Sequence, residues 1–242
     1  MRRLYPEPAD PVDLAEMYAV SGERHVRANM VATVDGAISV DGRSGGVSGP
    51  ADHELFLLLR GLADVILVGA GTVTAESYGP ARPTAAIREQ RRARGLAEVP
   101  PVAVVTSRLS LDLGLRFFTE AVVRPLVLTT ARAPAGRRSA AAELADVVVV
   151  GDDSVDLPGA LAELADRGLG RVLCEGGPTL LAQLVAAGVL DELCLTISPL
   201  LVGGDAPRIL KGGPVGPRPA RLIHLLEADG ELFARYALGS PG

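Results

Sequence analysis

The sequence is poor in aromatic residues, cysteine and histidine, and these shortages exclude several classes of site. It has no tryptophan, two cysteines and three histidines among 242 residues. His25, His53 and His224 are scattered with no metal-ligand spacing, so we predict no metal site. Cys174 and Cys194 fall in apolar, strand-like runs, which indicates buried thiols in a reducing cytoplasm rather than a disulfide framework.

Long hydrophobic runs and an excess of positive charge are also missing. Apolar stretches are short and are interrupted by glycine, proline or charge, so no membrane span is predicted. The N-terminus, MRRLYPEPADPVDL, has a basic start without an apolar core after it, which is not typical of a secretory signal. The net charge of −5 argues against a general nucleic-acid-binding protein. Neither a GxxxxGK[ST] phosphate loop nor a GxSxG nucleophile elbow is present.

Short apolar runs alternate with helical patterns between residues 55 and 190, which predicts an α/β fold with three layers. Residues 64–69 (DVILVG) are apolar at successive positions, as in a parallel strand that helices cover on both faces. We therefore expect a mostly parallel central sheet with helices on both faces. The strands predicted for it are residues 26–34, 64–69, 102–105, 127–130, 147–151 and 172–174.

The pattern changes after Asp191. Residues 192–198 alternate in polarity, and two further strand-like runs flank Asp229-Gly230, a typical hairpin turn. The sequence therefore predicts a C-terminal antiparallel hairpin at the edge of the sheet. Residues 1–24 combine prolines with acids and are predicted as an N-terminal arm with one helical turn, whereas residues 25–242 are predicted as a single domain.

Glycine or hydroxyl residues follow three of the predicted strands, at 69–72, 106–108 and 175–179. Paired glycines let the backbone approach a ligand closely, and a helix N-terminus favours a phosphate. Two hydroxyls and an arginine at 106–108 suit an additional phosphate. Each junction alone is equally typical of an ordinary turn. Because the carboxyl ends of parallel strands meet along one edge, the three together predict a nucleotide site.

The segments around the first long helix admit two interpretations. The loop at 37–49 is longer than a hairpin needs, which is typical of functional loops and also of mobile surface loops. Ser48 or Asp52 is predicted to cap the helix that follows. Asp52 either complements the helix dipole or is an acid at the mouth of a pocket. Residues 85–95 are basic and are predicted as a helix with a solvated face.

Taken in order, these segments resemble the pyrimidine reductase family of riboflavin biosynthesis, which has a dihydrofolate-reductase-like fold. The matching pieces lie within about residues 26–210, at 34–36, 44–48, 60–69, 71–73, 76, 175–180, 190–193, 199 and 203–204. The resemblance implies an NADPH-dependent enzyme. It would deliver hydride to the sugar carbon of the open-chain imine of 5-amino-6-(5-phosphoribosylamino)uracil and give the ribitylamino product. It also implies a homodimer, for which the apolar C-terminal strands are the expected interface.

The resemblance assigns residues to this activity. Glu76 and then Asp52 are the expected catalytic acids, because reduction of an imine needs a proton at nitrogen. The expected NADPH-binding residues are Gly69, Thr72, Thr106, Ser107, Arg108, Gly151, Glu175, Gly176, Gly177, Pro178, Thr179 and Leu180. The expected substrate-binding residues are Asn29, Asp35, Ser44, Ser48, Arg60 and Arg82. Three positions depart from the family pattern: Asn29 replaces a lysine, Gly46 a tryptophan and Glu76 an aspartate.

Two alternatives stay open. The first keeps the cofactor and changes the substrate to a pterin, a folate or a compound of secondary metabolism, because Asp52 resembles the pocket acid of dihydrofolate reductases. The second is a nucleotide-binding protein without catalysis, such as a regulatory subunit, which would bind NADPH without turnover. A small-molecule substrate, no nucleic-acid or membrane partner, and a cytoplasmic location are expected in the favoured interpretation.

Overall fold

The computed structural model describes residues 1–40, 42–213 and 215–239. The strands within these ranges are β1 (Arg2–Tyr5), β2 (His25–Thr33), β3 (Val65–Gly69), β4 (Val102–Val105), β5 (Leu126–Thr129), β6 (Asp146–Val149), β7 (Arg171–Cys174), β8 (Glu192–Ser198), β9 (Ala220–Ala228) and β10 (Glu231–Leu238). The helices are α1 (Leu14–Met17), α2 (Pro50–Leu62), α3 (Ala70–Ala75), α4 (Ala85–Ala93), α5 (Arg116–Thr119), α6 (Ala135–Ala142), α7 (Leu157–Asp166) and α8 (Pro178–Ala186), and a short 3-10 turn spans Ser44–Gly46.

The strands form one sheet in the order β1-β9-β10-β8-β2-β7-β3-β4-β5-β6. Pairing is parallel from β8 through β6 and antiparallel among β8, β10, β9 and β1. Asp229 and Gly230 both have positive φ, 53° and 83°, as a two-residue hairpin turn of the primed type requires. The predicted mostly parallel sheet with an antiparallel C-terminal hairpin is confirmed.

Strand β3 shows why continuous apolar runs form the centre of the sheet. Val65 and Leu67 belong to the cluster that packs α7 and α8 on one face. Ile66 and Val68 belong to the cluster that packs α3, α5 and α6 on the other. Successive side chains of a strand point to opposite faces, so a strand covered on both sides must be apolar throughout. Within the described ranges, no helix is long and apolar enough to cross a membrane.

The first 24 residues, predicted as an arm, join the sheet in the structure. Strand β1 pairs antiparallel with β9 at the edge of the sheet. Tyr18, which follows α1, is fully buried beside α2 in the same apolar cluster as Leu55. Sequence patterning missed β1 because a four-residue edge strand with an exposed face and a proline after it has little alternation to detect.

The basic helix α4 corrects a second expectation. Its charged residues were predicted to form a solvated face, but Arg91 is only 1% exposed. The Arg91 guanidinium donates to the carbonyl oxygens of Arg60, Gly61 and Ala63, at 3.2, 3.2 and 2.5 Å, at the end of α2. Carbonyl groups at a helix C-terminus have no partner within the helix, so a buried arginine satisfies them. Arg91 therefore fixes the C-terminal end of α2.

Candidate active site

Two of the predicted glycine junctions contact each other at the carboxyl ends of β3 and β7. The amide of Gly69 donates to the carbonyl oxygen of Gly176 at 2.7 Å. Gly176 has φ of 89°, and the peptide bond between Gly176 and Gly177 is cis. A Cβ atom on Gly177 would lie 2.8 Å from Oγ1 of Thr72, which is closer than real Cβ atoms come to other atoms. The two strand ends can approach this closely only because the residues between them have no side chains.

The N-terminus of α8 follows this junction directly. Gly177 is its N-cap and Pro178 its first residue, and no side chain caps it. The first amide groups of a helix lack partners within the helix and carry the positive end of its dipole. Thr179 and Leu180, in the first turn, line the cavity described below. This end of α8 therefore offers hydrogen-bond donors to an anionic group.

The third predicted junction follows β4 and is held by hydroxyl groups of β5 and the residue after it. The hydroxyl of Thr129 donates to the carbonyl oxygen of Thr106 at 2.7 Å, and that of Thr130 to the carbonyl oxygen of Ser107 at 2.8 Å. The Thr106 hydroxyl accepts from the amide of Leu109 at 3.1 Å. Thr106 and Ser107 line the cavity in this fixed turn, together with the exposed Arg108.

A cavity of about 1020 Å³ runs along these strand ends. All but three of the predicted site residues line it. The lining residues among them are Asn29, Ser44, Ser48, Asp52, Arg60, Gly69, Thr72, Glu76, Arg82, Thr106, Ser107, Arg108, Glu175, Gly177, Pro178, Thr179 and Leu180. The ends of parallel strands thus bring together residues from five separate segments of the sequence. Among the described residues, no group of three or more His, Cys, Asp or Glu is placed to hold a metal ion.

Asp35 lies outside the cavity lining, contrary to its predicted contact with substrate. Its carboxylate accepts from the Thr33 hydroxyl and from the amides of Val202 and Gly203, at 3.1 and 2.6 Å. The hydrogen bond from Thr33, followed by that from Gly203, lowers the pKa of Asp35 below its ordinary value. The Asp-Gly turn after β2 therefore anchors the loop after β8.

Gly151 is also outside the cavity lining, although it was predicted to flank the cofactor. Strand β6 is the edge of the sheet, and Gly151 makes the turn after it with φ of 87°. A Cβ atom there would lie 2.3 Å from the carbonyl oxygen of Ser154, so the turn itself requires glycine. Gly176, the third exception, contributes its carbonyl oxygen to Gly69 and lies against Met30 rather than lining the cavity.

Arg60 and Glu175 form a buried ion pair in the cavity wall. Nε and Nη2 of Arg60 donate to the two oxygens of Glu175 at 2.7 and 2.8 Å. The hydroxyl of Tyr78 donates to Glu175 at 2.6 Å, and the guanidinium of Arg60 lies 4.0 Å from the ring centroid of Phe56. Burial, together with the charge of Glu175, raises the pKa of Tyr78 well above its ordinary value. Arg60 was predicted to bind the substrate, but two of its three guanidinium nitrogens, Nε and Nη2, already donate to Glu175.

Glu76 and Arg82 also line the cavity. Glu76, half-buried after α3, accepts from the amide of Ser44 at 3.0 Å, which connects it to the glycine-rich loop. Arg82 donates to Glu120 at 2.7 Å, and Arg116 donates to the same carboxylate at 2.9 Å. Both arginines line the cavity. Arg82 and Arg116 share the one carboxylate of Glu120, so together they carry one positive charge more than that carboxylate neutralises.

The acid Asp52 is buried at the first turn of α2 and lines the cavity. The Ser48 hydroxyl donates to its Oδ2 atom. Neither Ser48 nor Asp52 caps α2, contrary to the prediction, because the N-cap is Gly49. The cap is supplied by Glu231 of β10, whose carboxylate accepts from the amides of Gly49 and Asp52 at 3.1 and 3.4 Å.

Sequence reasoning missed three of these side chains: Tyr78, Arg116 and Glu231. Tyr78 lies six positions after Thr72, the last residue of the predicted junction at 69–72. Its closeness in sequence to that junction could have indicated that it lies near the site. Arg116 and Glu231 are brought to the site by tertiary packing alone, from short or distant elements whose local patterns indicate only a helix and a strand.

Comparisons with known proteins agree with this geometry. The family model of the RibD C-terminal domain matches residues 24–228. A 2,5-diamino-6-ribosylamino-4(3H)-pyrimidinone 5′-phosphate reductase from Archaeoglobus fulgidus is 32% identical over 190 residues, 78% of this chain and 86% of that protein. A protein of the same name from Methanothermobacter thermautotrophicus is 32% identical over 216 residues, 89% and 94% of the two chains. A solved pyrimidine reductase-like protein from Corynebacterium diphtheriae has a TM-score of 0.85 at 26% identity, and the match covers 95% of this chain and 100% of that one.

A parallel sheet that gathers glycine and hydroxyl junctions around one cavity is typical of nucleotide-dependent α/β enzymes. The chain belongs to the RibD C-terminal domain family, the reductase family of riboflavin biosynthesis, as the sequence predicted. The predicted oxidoreductase class is confirmed by this membership, which implies a nicotinamide cofactor in general.

Proposed function

We propose that this protein reduces a 5-amino-6-ribosylamino-pyrimidine 5′-phosphate to its ribitylamino product with NADPH. The sequence resemblance points to the uracil form, whereas the relatives named above carry the 2,5-diamino-4(3H)-pyrimidinone form in their names. Both forms have the same phosphoribosylamino group and differ only at ring position 2. The observation that carries the proposal is the convergence of two glycine junctions, a helix N-terminus and a hydroxyl-arginine turn on one cavity.

The residues present fit a dinucleotide. Gly177 has no side chain beside Thr72, so its backbone lies at the cavity surface, where a cofactor could approach it closely. The uncapped N-terminus of α8 would bind the pyrophosphate. Ser107 and Arg108 would bind a 2′-phosphate, which favours NADPH over NADH.

The part of the cavity lined by Arg82, Arg116 and the loop before α2 would hold the substrate. Arg82 and Arg116 would supply positive charge for the sugar phosphate, and Ser44 and Ser48 line the same cavity. Arg60 lines the same cavity, and its pair with Glu175 would fix the position of the guanidinium group in the wall. Buried bidentate pairs of this kind set geometry.

The reaction needs a hydride at the sugar carbon and a proton at the imine nitrogen. The nicotinamide, when bound, supplies the hydride. Glu76 is the first candidate for the proton donor and Asp52 the second, since both carboxyl groups line the cavity. The backbone amide of Ser44 donates to one oxygen of Glu76, and the other oxygen has no hydrogen-bond partner among the residues that the structure describes. The enclosing glycine-rich loop would keep water from the imine.

The test is NADPH consumption with each of three compounds: the diaminopyrimidinone phosphate, the uracil phosphate and dihydrofolate. Turnover on a ribosylamino-pyrimidine phosphate, reduced about 100-fold or more in Glu76→Gln, is expected. Wild-type activity only on dihydrofolate would replace the proposal with a folate reductase. Tight NADPH binding with no turnover on any compound would replace it with a non-catalytic nucleotide-binding protein.

We also propose that the protein is a cytoplasmic homodimer. Burial of both cysteine thiols, Cys174 and Cys194, supports a reducing compartment. The C-terminal strands are not free edges, because β9 lies between β1 and β10. The better-supported interface is the apolar surface of Val34 and Leu201, which are 63% and 78% exposed. Sedimentation of wild type and Leu201→Asp tests it, and an unchanged dimer in the variant would contradict this interface.

A further inference from the structure

The short helix α5 carries a charged pair, Arg116 and Glu120, on a backbone that the core holds in place. Phe117 and Phe118, which follow Arg116, are 2% and 5% exposed and belong to the apolar cluster that packs α3, α5 and α6. Glu120 is the C-cap of the helix, and its amide donates to the carbonyl oxygen of Arg116 at 3.1 Å. Both charged residues are therefore anchored at the backbone before any ligand binds.

The carboxylate of Glu120 accepts hydrogen bonds from two arginines. Oε1 accepts from Nε of Arg116 at 2.9 Å, and Oε2 accepts from Nη2 of Arg116 at 3.1 Å and from Nη2 of Arg82 at 2.7 Å. The hydrogen bond from Arg116 lowers the pKa of Glu120 below its ordinary value, so this carboxyl is charged at neutral pH. Arg82 lies between α3 and α4, outside any helix or strand, so the contact with Glu120 holds its guanidinium group beside that of Arg116.

Both arginines keep donors that no described residue uses. The Nη1 atoms of Arg82 and Arg116 make no hydrogen bond within the part of the chain that the structure describes. The two side chains are 63% and 55% exposed, and both residues line the cavity, whereas Glu120 lies outside the lining. Two neighbouring guanidinium groups with accessible donors suit an anion that has several acceptor oxygens, such as a phosphate monoester.

We propose that Glu120 is a positioning residue for the substrate phosphate, which holds Arg116 and Arg82 together so that the phosphate binds between them. This inference rests on the proposed function and adds a role for Glu120, which does not itself contact the substrate. Without the carboxylate, the two guanidinium groups would repel each other and turn toward solvent. Binding would then have to order two long side chains, and this ordering lowers affinity.

Removal of the Glu120 charge has a second, opposite effect, because the added net positive charge attracts a phosphate. Salt screens this attraction between exposed charges, whereas it does not restore the positions of the arginines. Measurements at an ionic strength of about 0.15 M therefore favour the effect of position.

The experiment measures KM and kcat for the ribosylamino-pyrimidine phosphate with saturating NADPH. In Glu120→Gln we expect KM to rise about 10-fold and kcat to change less than about 2-fold, since the phosphate is remote from the carbon that receives hydride. In Arg116→Gln we expect KM to rise about 10- to 100-fold, because a donor to a charged group is lost. The double variant should show less than the product of the two effects, because Glu120 acts partly through Arg116.

Glu163→Gln is the matched control. It removes an exposed carboxylate that accepts from Arg167 with the same spacing of four residues, and it lies outside the cavity lining. Its KM should equal that of wild type. An unchanged KM in Glu120→Gln would overturn the inference, and a lower KM would show that Glu120 competes with the phosphate. Multiplying effects in the double variant would also contradict a role through Arg116.

Calorimetric binding of ribose 5-phosphate, a fragment of the proposed substrate, tests the same site without turnover. We expect Glu120→Gln to bind it about 10-fold more weakly than wild type, and Glu163→Gln to bind it equally. If wild type reduces no ribosylamino-pyrimidine, the proposed reaction fails, and this binding still decides the role of Glu120. Equal affinity in wild type and Glu120→Gln, or no binding to wild type, would overturn the inference.

Discussion

At the scale of single residues, Glu231 holds the start of α2 through two backbone amides, and it is 4% exposed. In Glu231→Ala these buried amides lose their acceptor, which we expect to lower the free energy of unfolding by about 1–3 kcal/mol. Urea unfolding measures the change. Glu54→Ala, an exposed acid of the same helix, should change it by less than about 0.5 kcal/mol. Equal losses in the two variants would contradict the capping role.

The Glu231 carboxyl also predicts a pH dependence. Burial raises its pKa above the ordinary 4.5, and the facing charges of Asp52 and Asp229 act in the same direction. The folded state therefore binds this proton more tightly than the unfolded chain. Its contribution to stability is fully present below about pH 4.5 and is lost as the pH rises through the raised pKa. Unfolding profiles should show this decline in wild type and not in Glu231→Gln. Parallel profiles would refute it.

Tyr78 donates to Glu175 at 2.6 Å and accepts from Arg60 at 2.8 Å, which closes a triangle of buried polar groups. Tyr78→Phe keeps the ring beside Arg60 and deletes only the hydroxyl. We expect a loss of about 1.5–3 kcal/mol, because the deleted hydrogen bonds go to charged groups. Thermal unfolding measures it. Tyr5→Phe, at an exposed ring, is the control, and a loss no larger than in that variant would contradict the network.

At the scale of elements, the proposed cofactor site at the strand–glycine–helix junction can be tested by a single substitution. Gly177→Ala would place a Cβ atom 2.8 Å from Thr72, so we expect NADPH affinity to fall by at least about 10-fold. Fluorescence titration with NADPH measures this. Gly136→Ala, in α6, has open space around the added atom and should leave the affinity unchanged. Normal binding by Gly177→Ala would show that the cofactor lies elsewhere in the cavity.

The sequence predicted best the elements that have the same apolar environment at every position. Strands β3, β4 and β5 are buried on both faces, so apolarity at every position marks them directly. Strand β1 and the burial of Arg91 in α4 were not predicted, because the residue types there do not reveal the environment. An edge strand follows no strong pattern, and a charge run does not show which of its arginines meets the carbonyl groups of another helix.

At the scale of the whole molecule, a buried charge cluster joins the two ends of the chain. Glu192 of β8 is 2% exposed and accepts from Arg27 and, at 2.6 Å, from Arg235. Arg27 also donates to the carbonyl oxygen of Tyr18 at 2.8 Å, and Arg235 to that of Met17. The cluster therefore ties the end of α1 to strands β2, β8 and β10.

Removing the charge of Glu192 should loosen that connection. Glu192→Gln leaves two buried guanidinium groups without a counter-charge, and we expect a loss of about 3–5 kcal/mol. Hydrogen exchange should accelerate first in residues 2–18. Glu163→Gln removes an exposed pair with Arg167 and should cost under about 1 kcal/mol. Unchanged exchange in residues 2–18 would show that the segment is held by β1 alone.

The parts of the site that consist of neighbouring residues could be predicted from the sequence. The parts formed by contacts between residues far apart in the chain could not. The glycine junctions and the turn at Thr106 are visible in sequence because their residue types serve backbone geometry and phosphate binding. Asp35 resembled a site residue in sequence, but its carboxylate bonds the amides of Val202 and Gly203. Arg60, predicted to bind substrate, is paired with Glu175 across 115 positions, which no local pattern shows.

The hydrogen bond between Asp52 and Glu231 joins residues 179 positions apart. During synthesis, the parallel strands and the junction at Gly177 leave the ribosome before Glu231 does. A nascent chain at that stage contains the residues proposed to bind the cofactor, while the first turn of α2 still lacks its acceptor. The part of the cavity wall formed by the first turn of α2 is therefore anchored last, when the final hairpin docks. A chain released before residue 231 would therefore lack the acceptor that anchors Asp52 in the cavity wall.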